Sequence, residues 1–145
     1  MGQTTFSGPI RAGTVREGSS ANVGNVILAQ QTTIGFAQAD GVNTGTGIIL
    51  PAGFSIVDIT VDVTTVWNSS VSDALEIGDS TDPDEYGDVA DLQTLGRVVI
   101  DPDGPQAAVW TNSGSSDVEI TTTVNQSGTA ATTGVAVLTV RYMQN

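Results

Sequence analysis

The chain has 145 residues, a length that suits one domain with its own hydrophobic core. It contains no cysteine, histidine or lysine, and its four arginines stand against sixteen acidic residues, for a formal net charge of -12. The absence of cysteine excludes disulfides and thiol chemistry. The absence of histidine removes the commonest general base and metal ligand, and the absence of lysine removes the usual phosphate-binding side chain. An acidic surface also repels nucleic-acid phosphates and anionic membranes, so we expect neither as a partner.

The chain shows no signal for membrane insertion or secretion. No stretch approaches the roughly 20 apolar residues that span a bilayer. The first residues, MGQTT, lack the basic start and apolar run of a signal peptide. We therefore expect the protein to be soluble as made, and if it reaches the outside of a cell, we expect something other than a signal peptide to take it there.

Residues 1 to 23 are rich in glycine, serine and threonine and have few apolar side chains. Because this composition cannot form a core by itself, the sequence predicts an extended N-terminal arm followed by a folded body of residues 24 to 145. Phe6 and Ile10 are the expected apolar anchors of this arm on a partner. Arg11 and Arg16 are the expected ionic anchors, since the arginine fork pairs with two carboxylate oxygens at once.

The body shows the two-residue alternation of β-strands. Residues 56 to 66 alternate apolar and polar side chains, which predicts one buried and one wet face. The apolar set predicted to point inward is Val57, Ile59, Val61 and Val63. Residues 117 to 124 repeat the pattern, with Thr121 and Thr123 predicted to face solvent. The more uniformly apolar residues 135 to 143 predict a central strand covered on both sides.

Shorter apolar runs separated by turn signals complete the strand prediction. They are residues 25 to 29, 32 to 37, 47 to 50, 74 to 77, 97 to 100 and 106 to 110. Residues 101 to 104 (DPDG) predict a β-turn before the last of these runs. Short strands at this spacing indicate an all-β fold, a single β-sandwich with a jelly-roll-like arrangement.

An acidic segment interrupts the strands at residues 78 to 93. Its carboxylates Asp79, Asp82, Asp84 and Asp88 are candidate calcium ligands, because calcium prefers several carboxylate oxygens on a flexible backbone. Their spacing does not match an EF-hand loop, and charge runs are usually solvated surface. We therefore predict no metal site, with a calcium site in this loop as the alternative.

No motif in the chain supplies catalysis or holds a cofactor. A phosphate-binding glycine loop followed by lysine is absent, and any serine nucleophile would lack a histidine partner. The carboxylates show no pairing that suggests a glycosidase. Trp67 and Trp110 are predicted to anchor contacts with other protein copies, with burial in the core of one chain as the alternative.

Three segments resemble the small decoration (cement) and head-fibre proteins of tailed bacteriophages, particularly marine ones. They are residues 5 to 14 (TFSGPIRAGT), residues 50 to 65 (LPAGFSIVDITVDVTT), and IGD at 77 to 79 together with DPDEY at 82 to 86. The resemblance implies a structural virion protein without enzymatic activity or cofactor. It implies binding to the major capsid protein on the outer surface of the head, often as a homotrimer, after synthesis in the host cytoplasm.

Two other functions remain open at this stage. A tail, neck or fibre component with a receptor-binding role has the same acidic, threonine-rich and glycine-rich texture. A calcium-dependent glycan-binding module would use the acidic loop and the tryptophans. Copy number in the particle separates the first from a decoration protein, and a glycan or calcium titration separates the second.

Overall fold

The computed structural model of the protein describes residues 11 to 14, 22 to 89, 91 to 111 and 114 to 144. These residues form ten strands and one short helix. In chain order the elements are β1 Arg11–Thr14, β2 Asn22–Asn25, β3 Leu28–Gly35, β4 Thr44–Leu50, β5 Phe54–Thr65, β6 Ser72–Gly78, β7 Gly87–Val89, β8 Gly96–Val99, α1 Gly104–Thr111, β9 Val118–Ser127 and β10 Val135–Gln144. The helix, at eight residues, falls well short of what a membrane crossing requires, and it is the longest in the described part of the chain.

Strands β3 to β10 form two antiparallel sheets that pack face to face. Sheet 1 has the order β3-β10-β5-β8 and sheet 2 the order β4-β9-β6-β7. Of the seven connections between consecutive strands in this set, six cross from one sheet to the other and only β6–β7 stays within a sheet. This arrangement is that of a jelly roll, so the predicted all-β sandwich is confirmed.

The core lies between the two sheets and follows the predicted alternation of β5 at its apolar positions with one correction, while Thr60, on the face predicted to be wet, is buried. Ile59, Val61 and Val63 are buried as predicted. Val57 was predicted to join them and is 39% exposed, so that part of the prediction is wrong. The reason is a β-bulge: opposite β10 the pairing steps from Asp58 to Ile56, and Val57 is left without a partner residue. Ile56 takes the inward position in its place.

The predicted strand at residues 106 to 110 is wrong, because these residues belong to helix α1. Two bonds define the start of the helix: the Ala107 N–H donates to the Asp103 carbonyl at 3.3 Å, and the Asp103 N–H reaches the Gln106 side-chain oxygen at 3.5 Å. Asp103 and Gln106 therefore have the spacing of a capping box. Pro105 in the first turn needs no N–H partner, which also favours a helix start here.

The outer face of β9 is less wet than predicted. Thr121 and Thr123 are buried, at 6% and 4% exposed. The connection from β3 to β4 reaches across β9, since its Asn43 side chain donates to the Asp79 carbonyl at 2.7 Å and β9 lies between β4 and β6. The predicted solvent exposure of these two threonines is therefore wrong.

Strands β1 and β2 pair with each other in a separate two-stranded sheet that precedes the sandwich. The pair spans the boundary at residue 23 that the sequence suggests between arm and body. Two further differences concern the strands that follow. The predicted strands 25 to 29 and 32 to 37 correspond to the single strand β3, and β10 is central in sheet 1, although Val135 and Val137 on its outer face are only half-buried.

Candidate functional site

The two ends of the sandwich differ in charge. Strand directions place the connections 51 to 53, 79 to 86 and 100 to 117 at one end, here called the acidic end. These connections hold seven acidic residues: Asp79, Asp82, Asp84, Glu85, Asp101, Asp103 and Asp117. The connections at the opposite end, the charge-poor end, hold only Asp40 and Asp91. A protein of one predominant charge can approach a like-charged partner most easily where its own charge is low.

The acidic end is built around helix α1 and the loop before β7. The Gln106 side chain donates to the Asp84 carbonyl at 3.0 Å, and the Trp110 indole N–H donates to the Tyr86 carbonyl at 3.0 Å. These bonds hold the helix against the acidic loop. Between the start of the helix and the loop lies an open pocket of about 270 Å³, lined by the carboxylates Asp82, Asp84, Glu85 and Asp103. In the described part of the chain, no three carboxylates converge closely enough to hold a metal ion.

Two carboxylates of this pocket, Asp84 and Glu85, hold their protons more tightly than isolated ones. A hydrogen bond with Asp82 is the main cause that raises the pKa of Asp84 above its ordinary value of 3.8. Burial is the main cause that raises the pKa of Glu85, and the charges of Asp82 and Asp79 add to it. Both effects express the cost of placing several negative charges together.

We expect the protein to become more stable as the pH falls from 7 towards the ordinary glutamate and aspartate values of 4.5 and 3.8. The folded pKa values of Asp84 and Glu85 lie above their unfolded values, so the folded state binds more protons in this window. Below the ordinary aspartate value of 3.8 the trend reverses, because the pKa values of Asp62 and Asp91 are lowered in the fold. Thermal unfolding midpoints measured across this range test the prediction.

Asp82→Asn is the matched test variant, because Asp82 contributes to both raised pKa values. It should flatten the stability gain between pH 7 and the ordinary glutamate value of 4.5. Asp101→Asn removes the same charge outside the pocket and should keep most of that gain. If the two variants follow the same pH profile, general charge repulsion and not this pocket accounts for the dependence.

The charge-poor end presents apolar side chains on loops that are tied together. Phe36, Val71 and Leu95 are 40%, 66% and 63% exposed. The Phe36 N–H donates to the carbonyl of Gly134 at 3.0 Å, which joins two of the loops at this end. The Asn68 side chain accepts from the Thr132 N–H at 2.7 Å and joins a third. Hydrogen bonds therefore hold the loops of this end together, and the surface that they form carries little charge.

Two of the four arginines are occupied within the chain. On the outer face of sheet 1, Nε and Nη2 of Arg97 donate to the two carboxylate oxygens of Asp62 at 2.8 and 2.9 Å. On the same face, Arg141 bonds to Asp58 at 2.7 Å. The bond from Arg97 is the largest cause that lowers the pKa of Asp62. These pairs lie across neighbouring strands, where opposite charges add to sheet stability.

The structure places the candidate partner-binding residues in different surroundings. Trp67 and Trp110 are 1% and 7% exposed and lie in the core of one chain, which is the alternative given for them above. Arg11 lies in β1, opposite Asn25. Phe6, Ile10 and Arg16 lie outside the described residues. The charge-poor end could not be predicted from the sequence, because the connections that form it are far apart in the chain and share one end only in the fold.

No family model and no curated protein matches the chain, but solved structures share its fold. A chain in the capsid of cyanophage Pam1 aligns over 91% of this chain and 98% of its own length, with 16% identity and a TM-score of 0.63. A chain in the capsid of Ralstonia phage GP4 aligns over 83% and 85%, with 18% identity and a TM-score of 0.60.

A third similar structure is the acid-stable capsid of Helicobacter pylori bacteriophage KHP30. One of its chains aligns over 81% of this chain and 87% of its own length, with 14% identity and a TM-score of 0.58. In all three comparisons most of both chains is aligned, so the matched chains are close to this one in length. At these identities the comparisons establish a common fold.

Proposed function

We propose that the protein is a structural component of a bacteriophage virion and, more narrowly, a decoration protein on the outer surface of the head. The observation that carries the proposal is the shared fold, over most of both chains, with small chains in three phage capsids. The resemblance noted in the sequence points in the same direction. A decoration role requires contacts and no chemistry, which fits a non-enzymatic protein without cofactor.

The partner in this proposal is the major capsid protein, contacted by residues 1 to about 20. Arg97 and Arg141 pair with aspartates of the sandwich, and the other two arginines of the chain, Arg11 and Arg16, are the proposed ionic contacts with the partner. Phe6 and Ile10 supply apolar contacts in the same segment. Many weak contacts repeated on a symmetric lattice give strong overall binding.

Contacts between copies of the chain are part of the same proposal, with a homotrimer as the expected assembly. The charge-poor end supports this expectation. At a formal charge of -12 per chain, copies meet least repulsion there, and Phe36, Val71 and Leu95 supply exposed apolar surface. The tryptophans are not proposed as contact residues, because they lie in the core.

We expect a variant lacking residues 2 to 20 to keep the circular dichroism of the sandwich and to lose binding to undecorated capsids. Arg11→Ala should weaken binding by about 1–3 kcal/mol if its ion pair is desolvated. Arg97→Ala is the matched control, since this arginine is paired within the chain and its loss should leave capsid binding unchanged. Binding can be measured by co-sedimentation with capsids.

Full capsid binding by the truncated protein would contradict this docking mode and move the contact to a face of the sandwich. The copy number in purified particles is a separate criterion for the role itself. A number comparable to that of the major capsid protein fits decoration of the whole head. A few copies per particle would instead indicate a tail, neck or fibre component.

A further inference from the structure

β3 forms one edge of sheet 1, and its outer side presents a row of backbone groups. It pairs with β10 along its whole length, and no other described strand pairs with it. The Phe36 N–H donates to the Gly134 carbonyl at 3.0 Å in the same register, so the even-numbered residues of β3 use their backbone groups towards β10. The N–H and carbonyl groups of Ala29, Gln31 and Thr33 therefore point away from β10. Such a row is a template for another strand.

The side of the sandwich formed by β3 and β4 carries no charged residue in its strands. Each of the other six strands of the two sheets holds at least one acidic residue or arginine. A groove of about 450 Å³ lies between β3 and β4, and no residue that lines it is charged. At a formal charge of -12 per chain, a second copy meets little repulsion at a surface of this kind. The chemistry of this side therefore fits another copy of the chain.

The three residues whose backbone groups point outward form a self-complementary set. In an antiparallel pair with Gln31 of one copy opposite Gln31 of the other, Ala29 of each copy lies opposite Thr33 of the other. All three then occupy hydrogen-bonded pairs, so their outward-pointing groups all find partners. Gly35, the next odd-numbered residue, ends the row, because its carbonyl accepts from the Gln38 N–H at 3.1 Å. A two-fold axis through this point relates the copies, as in the commonest class of homodimers.

The same register brings together side chains of fitting size. On the inner face, Leu28 lies opposite Ile34 of the second copy, which gives one apolar pair at each end of the contact. One residue before the strand, Ile27 is 52% exposed and comes opposite Gly35 of the second copy. An added Cβ at Gly35 would meet no described atom within 4 Å, so there is room for the isoleucine beside this glycine. The contact therefore covers an apolar side chain that the single chain leaves in water.

We infer that two copies of the chain pair antiparallel along β3 about a two-fold axis at Gln31, which joins their two four-stranded sheets into one continuous sheet. The inference concerns the free protein and does not rest on the proposed function. The contact lies along the side of the sandwich, apart from the charge-poor end. It therefore adds a second kind of contact to the one proposed there.

Single cysteines on the outer face of β3 test this register, because the natural chain has no cysteine. Ala29, Gln31 and Thr33 lie on that face, and all three are exposed. At the axis the Cα atoms of the two Gln31 residues are about 5.5 Å apart, which suits a disulfide, whereas the two Ala29 or the two Thr33 residues are too far apart. We expect Gln31→Cys to form disulfide-linked dimers about tenfold faster than Ala29→Cys or Thr33→Cys alone, measured on non-reducing gels and by intact mass.

A mixture of the two slow variants is the matched complement. Ala29→Cys and Thr33→Cys, carrying tags of different mass, should form disulfide-linked heterodimers with each other at the rate of Gln31→Cys. Equal rates for the three single variants would indicate parallel pairing or random collision and would overturn the register. No dimer above background from Gln31→Cys would overturn the assignment of this edge to a second copy.

Gln31→Glu tests the contact in a chain that still lacks cysteine. The variant places two carboxylates face to face at the axis, so we expect the dimer to dissociate at about tenfold higher protein concentration in sedimentation equilibrium. Ser80→Glu is the matched control, because it adds the same charge at an exposed position of the acidic end, and it should change dissociation much less. Equal effects of the two variants would show that total charge controls association and would overturn the β3 contact.

Discussion

Val61→Asp is expected to unfold the protein at room temperature or bring it close to unfolding. Val61 lies in the middle of β5, is 0% exposed and points to the core between the sheets. Arg97 and Arg141, the arginines whose side chains the structure describes, lie on the opposite face of sheet 1 and cannot pair with a carboxylate there. Burying an unpaired charge costs several kcal/mol, which is a large part of the roughly 5–15 kcal/mol of a typical domain.

Val57→Asp is the matched control, because it makes the same change in the same strand. The bulge puts Val57 on the surface, so this variant should lose no more than about 1 kcal/mol in urea unfolding. A regular strand would bury both valines and make the two variants equally damaging. Equal losses would therefore mean that the bulge opposite Arg141 and Tyr142 does not exist.

Gly134→Ala is the second variant with a large expected effect, a loss of about 2–4 kcal/mol in the free energy of unfolding. Gly134 precedes β10, has a φ of 149° and lies against the ring of Trp67. An added Cβ would come within 2.6 Å of the ring carbons Cγ and Cε2. Trp67 is 1% exposed in the core and cannot move aside without disturbing its neighbours.

The loss at Gly134 has two causes, the positive φ and the contact with the indole ring, and Gly47→Ala tests a positive φ without such a contact. Gly47 has a φ of 76°, and an added Cβ there would meet no atom within 4 Å. This variant therefore carries the backbone cost alone, about 1 kcal/mol. Chemical unfolding of both variants gives the comparison. A loss at Gly134 no larger than that at Gly47 would show that the indole ring shifts to make room.

Alternation of side chains is enough to predict the sandwich but not its irregular positions. Ile59, Val61 and Val63 are buried as predicted because a regular strand has a period of two, although Thr60 between them is buried as well. The bulge at Val57 depends on how β10 pairs with β5, which is a contact between residues about 80 positions apart. Helix α1 was within reach of the sequence, since Asp103, Pro105 and Gln106 form a helix start. Alanine and valine after them fit a strand as well.

The candidate surfaces are harder to predict because they combine distant segments. The acidic loop is one stretch of sequence and could be recognised at once. The packing of α1 against this loop could not be predicted, because Gln106 meets Asp84 only after β8 returns the chain to that end. The pairing of Arg97 with Asp62 likewise follows from strand order. For the tryptophans the sequence left core and contact surface open, and both are buried in the core although one lies in a connection and the other in helix α1.

The crossing connections of the jelly roll have a consequence for the order in which the protein forms. β3 is held in sheet 1 by β10, so Leu28 is paired with Tyr142, more than a hundred residues later. Strand pairs this far apart in sequence make folding slow, because a long loop must close before any pair is gained. On the ribosome, β3 and β5 must wait for β10 to emerge before sheet 1 can close. Until then their apolar faces are exposed, and the strong negative charge of the chain protects the waiting polypeptide from aggregation.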